Sequence, residues 1–411
     1  MNKIDEMIRE LCPEGVKRVK LGEVCEVSDY VSNGSFATLK ANVKYLSEPN
    51  YAVLLRFADY SNNFDASKFV YIDEHAYNFL NKSKLFGGEI IISNVGSCGL
   101  LFRCPKLNTK MSLAPNTIMV KSKYQDYLYY WLKSKSGQES MLRFVSPGAM
   151  PKFNKTQFKT IEIPLPPLAI QQEIVSILDS FSSLQSKLEE ELSVRQKQME
   201  FYREKLLTFD KDDNSVKWMK LGEIGSFYNG VTGKNKEDFV DGNAKFITYM
   251  NIFTNPKLKI NVDDRIRIAE GEKQNLIKYG DVLFTTSSET LDECGMSSVL
   301  TERTEENLYL NSFCFGYRFN NLSLIEPSFC AYLFRTDSIR REIAKTANGV
   351  TRFNVSKKLF EKLIIPVPSL SRQQEIVSTL DTMSSLIDKL KEEIELRKKQ
   401  YEYYREALLS F

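Results

Sequence analysis

The 411-residue sequence predicts an α+β chain: two mixed α/β domains separated by two long helices in an antiparallel coiled coil, related by a pseudo-twofold internal repeat. Three observations predict it. Residues 164–209 align on 366–411 without a gap, with 28 of 46 positions identical, so the chain contains a duplication. Both copies open on prolines, and no Gly or Pro follows in either, as a long helix requires. The segments before them, 1–163 and 210–365, match only weakly and carry short strand-like runs.

The N-terminal residues place Ile4, Met7, Ile8 and Leu11 on one face, which predicts a short amphipathic helix rather than a leader. In the first domain EIIISN (89–94) and NTIMV (116–120) read as strands, as do KFITYM (245–250) and DVLFTT (281–286) in the second. An aromatic stretch precedes each repeat copy, YLYYWLKSKSGQ (127–138) and FCAYLFRTDSIR (329–340), and reads as a helix packing on a sheet. The copies themselves, PLPPL…TF and PVPSL…SF, divide the chain into domains 1–163 and 210–365 and helical segments 164–209 and 366–411. Their apolar positions recur at a mean spacing of about 3.5 residues, the coiled-coil period. The seam so predicted includes Ile174, Phe181, Leu184, Leu188 and Tyr202 in the first copy and Ile376, Met383, Leu386, Leu390 and Tyr404 in the second. Ser371 and Gln374 have capping-box spacing at the start of the second helix. Packed antiparallel, helices of about 40 residues at ~1.5 Å each make a rod of roughly 60 Å.

Composition narrows the function classes. One histidine and seven scattered cysteines without a Cys-x-x-Cys leave no His-based metal site or catalytic triad in view. There is no phosphate-loop Gly-Lys-Ser/Thr, no Gly-x-Gly-x-x-Gly and no Glu-x-Lys, so no catalytic residue and no metal or cofactor site is assigned to this chain. No apolar run approaches the roughly 20 residues of a membrane span, and a cytoplasmic protein is expected. The net charge of +3 is undistinguished, but its distribution is not. Lys133–Lys159 holds six basic residues against one acid, and Arg335–Lys362 eight against three, at equivalent places in the two halves. Each run contains a glycine turn, Gly148 followed by Lys152, Asn154 and Lys155, and Gly349 followed by Arg352, Asn354 and Lys357. Such side chains neutralise phosphates or pair with base edges, so these six are candidate DNA contacts. A second pair of loops, with Ser93, Asn94 and Ser97 in one half and Thr286 in the other, supplies small polar side chains of the same use.

With those residues in view, the sequence resembles the specificity subunits of Type I restriction–modification systems. The resemblance rests on IPLPPLAIQQEIV and IPVPSLSRQQEIV at the helix starts, on LCPEGVKRVKLGEV with its echo KWMKLGEI, and on GGEIIISNVGSCG. TTSSETLDECG in the second half departs from the last pattern, and Gln171–Gln172 and Gln373–Gln374 stand where many relatives have Glu-Gln. It implies two target-recognition domains, each reading one part of a split, double-stranded DNA sequence. It implies conserved helices that space the domains and dock two modification subunits, with Gln171, Gln172, Ile174, Gln373, Gln374 and Ile376 as the docking residues. S-adenosylmethionine would belong to those partners, and Mg and ATP to further restriction/translocase subunits. The competing classes are a recognition subunit of a related system that cuts beside its site, a self-contained modification enzyme, and a coiled-coil scaffold unconnected with DNA.

Overall fold

The computed structural model describes residues 3–146, 148 and 150–411, so Pro147 and Ala149 of the first glycine turn lie outside the described residues. The fold is built from two compact units, residues 1–188 with 393–411 and residues 189–392. Each unit contains one α/β domain and halves of both long helices, Leu168–Leu207 and Leu370–Leu409, whose bounds differ by the repeat offset of 202.

In the first unit, strands Glu26–Asp29, Thr117–Lys121, Ile90–Ser93 and Leu101–Arg103 lie side by side in that order, all antiparallel. A second sheet is centred on the parallel pair Ala52–Leu55 and Lys110–Leu113. The second unit repeats both devices. Gly225–Asn229, Cys314–Phe319, Val282–Thr285 and Ser297–Val299 form its four-stranded sheet, and Ala244–Ile247 runs parallel to Leu308–Leu310. The strands Ile90–Ser93, Thr117–Lys121 and Val282–Thr285 are buried on both faces, which is why they read as continuous apolar runs rather than alternating ones.

Each aromatic stretch forms two helices instead of one. Gln125–Lys133 is followed by Lys135–Leu142, and Pro327–Leu333 by Asp337–Ala344. Ser134 breaks the first pair because its hydroxyl accepts from the Gly137 amide, starting a new helix. Tyr127, Tyr130 and Trp131 are all but fully buried, so the aromatics are core.

The helix starts differ from expectation. The second long helix begins at Leu370, and it is Ser369, not Ser371, that caps it, accepting from the Gln373 amide through its carbonyl and from Arg372 through its hydroxyl. Within each unit the helix halves run antiparallel. In the first, Phe181 stacks on Tyr404 at 5.3 Å, while Leu408 and Leu409 reach the core around Ile170 and Ile174. In the second, Leu206 and Leu207 join the core that holds Ile376 and Leu380. Lys135 donates its amide to Glu406, and Asp337, 202 residues on, donates to Glu204. Both are free helical amides meeting a carboxylate at a helix N-terminus, a favourable place for negative charge.

The seam needs one correction. Leu184 and Leu386 are 38% and 49% exposed, whereas Ile387 and Ile394 are buried. After Met383 the buried series steps by four to Ile387, not by three to Leu386, and alternating threes and fours keep the 3.5 mean. Phe181, Leu188, Met383 and Leu390 are half-buried, and Tyr202 and Tyr404 lie at its edge. Ile174→Ala should therefore cost about 2–5 kcal/mol, and Leu386→Ala under about 0.5 kcal/mol, in urea unfolding followed by circular dichroism; a large loss at Leu386 would restore it to the seam.

Candidate nucleic-acid interface

The two loops predicted separately in each half are brought together by backbone pairing. In the second unit, the strand Val282–Thr285 continues into Ser287–Ser288, which pairs antiparallel with Phe353–Val355, itself paired with Ala347–Asn348. In the first unit, Val95 and Ser146 both bridge to Lys152. The closing bonds are equivalent: Phe153 donates to the Asn94 carbonyl at 3.1 Å, and Val355 to that of Thr286 at 2.9 Å. The glycines make the turn possible. Gly349 has φ +140°, and a Cβ there would lie 2.0 Å from the Arg352 carbonyl oxygen.

Once zipped together, the candidate side chains divide into two groups. Several serve the fold. Asn154 caps the helix Lys155–Lys159, accepting from the Gln157 amide at 2.9 Å while Gln157 reaches back. Lys155 holds Asp29 at 3.0 Å and the Ser32 hydroxyl. Its equivalent Lys357 donates to Asn229 and lies 5.2 Å over the Phe315 ring, with burial holding its pKa below the usual lysine value. Ser93 is buried and bonds the Val95 carbonyl, Asn94 donates to the Phe153 carbonyl, and Thr286 is half-buried between two ladder bonds. Four remain exposed on the surface: Ser97, Lys152, Arg352 and Asn354.

The second basic run also loses members. Arg335 donates to the Ser297 and Ile252 carbonyls, and Arg340 to those of Gly295, Asp292 and Cys294. Burial, with Arg340 and Arg203 nearby, lowers the Arg335 pKa to about 10. These guanidiniums tie loops together and are not free for phosphate.

Residues absent from the sequence-based set line the first site. A cavity of about 740 Å³ is walled by Tyr30, Phe36, Lys40 and Tyr45 together with Asn94, Asn116 and Lys152. Asn116 takes a left-handed φ of +66°, and the Pro115–Asn116 dipeptide was the available turn signal. The aromatics gave none, because they come from a segment about 50–120 residues away in the chain.

The expected docking residues also divide. Gln172 and Gln374 are exposed, but Gln171, Ile174, Gln373 and Ile376 point into their own units. Gln171 donates to the Pro166 carbonyl at 2.7 Å and Gln373 to that of Pro368 at 2.8 Å, replacing bonds that the proline-rich start removes. Asp179 and Asp381, in the same repeated decamer, each accept a tyrosine hydroxyl at 2.5 Å, from Tyr130 and Tyr332. Arg103 and Lys257 stand beside these carboxylates. Sequence reading missed this pair although it recurs at the 202-residue offset. Among the described residues no group of three or more His, Cys, Asp or Glu is placed to hold a metal ion, and no helix is long and apolar enough to cross a membrane.

This duplicated architecture is that of a known family. The Type I restriction modification DNA specificity domain matches twice, over residues 13–195 and 214–396. The chain belongs to that family, as a member carrying two copies of its domain. It is 33% identical over 302 residues to the EcoR124I/EcoR124II specificity subunit of Escherichia coli, covering 69% of this chain and 70% of that one. It is 25% identical over 438 aligned positions to a putative MjaX specificity subunit of Methanocaldococcus jannaschii, covering 94% of each. Its fold is shared with a chain from a solved type I R-M system (TM-score 0.61, 16% identity, 97% and 98% coverage) and with the S subunit from M. genitalium (0.51, 15%, 96% of each).

The division of side chains has a direct consequence. Asn154→Ala should lower stability by about 1 kcal/mol, the usual cost of a lost N-cap, and Lys152→Ala should leave it unchanged within about 0.5 kcal/mol. Thermal unfolding of the two variants checks this, and equal losses would contradict it.

Proposed function

We propose that this chain is the non-catalytic specificity subunit of a Type I restriction–modification complex, reading a split, asymmetric DNA site with one domain per half-site. The observation that carries this is the recurrence of one loop architecture in both units with different side chains at its tip. Lys152, bridged to Val95, stands in the first where Asn354, paired with Ser287, stands in the second, while the long helices are nearly identical. Diverged tips suit half-sites of different sequence. Near-identical helices suit two copies of one modification subunit on a pseudo-twofold scaffold. Their outer faces, with Gln172, Gln374, Leu184 and Leu386 exposed, are the surfaces offered to those partners.

In that complex the modification subunits supply S-adenosylmethionine and take the target adenine out of the duplex. Restriction subunits add ATP- and Mg-dependent translocation and cleavage. This chain contributes the reading surface and the spacing. Partners of this kind work in the cytoplasm, where we place the protein.

Co-expression with its modification subunit in a methylation-free host, followed by long-read mapping of modified adenines, should yield one motif of two short specific parts around a fixed gap. A complex that forms and binds S-adenosylmethionine yet yields no motif would refute the reading. Deleting one heptad from each long helix removes about 10 Å, so the gap should shorten by about 3 base pairs at ~3.4 Å each. An unchanged gap would mean that the helices do not set it.

A further inference from the structure

Resting on that reading, we infer that Arg352 reads a guanine in the half-site of the second domain, with Ser287 as its positioning residue. Arg352 is exposed at the end of a hairpin whose second strand, Phe353–Val355, is paired on both sides. Its Nε donates to the Ser287 hydroxyl at 3.2 Å, which leaves Nη1 and Nη2 without a protein partner among the described residues. Ser287 is itself fixed: it is buried, its backbone pairs with Asn354, and its carbonyl accepts the Tyr249 hydroxyl at 2.8 Å. The Asn354 amide in turn donates to the Arg352 carbonyl. The guanidinium is thus held at one edge and open at the other.

That is the geometry a guanine requires. Its O6 and N7 are two adjacent acceptors in the major groove, and a forked donor meets both at once. Holding Nε beforehand removes part of the side-chain ordering cost that an unrestrained arginine meets on binding. A phosphate contact needs no such restraint, because charge attraction tolerates many poses.

The first domain lacks this arrangement. With Phe153 equivalent to Val355, Met150 stands at the place of Arg352 and Val95, which has no side-chain acceptor, at that of Ser287, while the nearby Lys152 ammonium is a point charge rather than a fork. Arg335 and Arg340 of the second domain already spend their guanidiniums on carbonyl oxygens. Arg352 therefore differs from the other basic candidates in combining a free fork with a fixed base.

The test is methylation mapping of the co-expressed complex with wild-type chain and with Arg352→Ala, Arg352→Lys and Ser287→Ala. The wild-type motif should contain a fixed G·C pair in one half-site. Arg352→Ala should relax that single position, lowering its preference for guanine roughly ten- to hundredfold, with the gap and the other half-site unchanged. Ser287→Ala and Arg352→Lys should relax the same position less. If Arg352→Ala abolishes all modification, the two milder variants carry the test, and retention of guanine in both overturns the inference. A uniform fall in methylation with the motif intact would make Arg352 a phosphate contact, and also overturns it. In both cases a split wild-type motif leaves the specificity-subunit reading standing, whereas its absence removes that reading itself.

Discussion

The structure depends on how each long helix is fastened to its own domain. Over its first three turns the helix buries Ile174 and Leu178, or Ile376 and Leu380, each worth about 1.5–3 kcal/mol. The tyrosine–aspartate bond adds roughly 1.5–3 kcal/mol as a hydrogen bond to a charged group. Burial therefore supplies most of the energy, while the polar bonds decide the rotation of the helix about its axis. A slip of one residue would leave the glutamine amide, the carboxylate and the tyrosine hydroxyl without partners, at a cost of about 1–3 kcal/mol for each buried group. Rotation in turn decides which face of the helix continues outward as the coiled-coil seam.

That fastening explains the near-identical decamers QQEIVSILDS and QQEIVSTLDT more fully than docking of a partner alone. Gln171, Ile174, Leu178 and Asp179 in the first copy are occupied within the unit, with Val175 and Ile177 packed beside them and Glu173 paired with Lys3. Other positions, such as Gln172 and Ser176, point outward and are exposed. The C-terminal halves add a reciprocal tie, since each closes the unit built on the other repeat, through Glu406 at Lys135 and Glu204 at Asp337.

The candidate nucleic-acid interface follows a different logic. Its backbone is held by ladder bonds, glycine turns and capped helices common to both units, whereas its tips differ. Stable scaffolding beneath variable tips lets the tip residues change without loss of the fold, because their side chains carry little of the stability. Asn154, Lys155 and Lys357 belong to the scaffold, and Lys152 and Arg352 to the tips.

The sequence by itself determined the duplication, the two 40-residue helices, the α/β character of the domains and the loops at the site. All of these follow from local signals: proline and glycine positions, a 3.5-residue period, and strand-length apolar runs. It could not separate inward from outward members of a motif. Gln171 and Gln172 are neighbours of the same type, yet one lies in the core and the other in solvent, because 100° of helix rotation separates them. Leu386 and Ile387 were likewise interchangeable by composition, and only the packed partner decided between them. The arginines of the second basic run look alike in sequence, but carbonyls brought from 38 to 83 residues away occupy Arg335 and Arg340, whereas Arg352 is held only at its Nε. Which charges are available is set by contacts distant in the chain, and those exist only in the folded units.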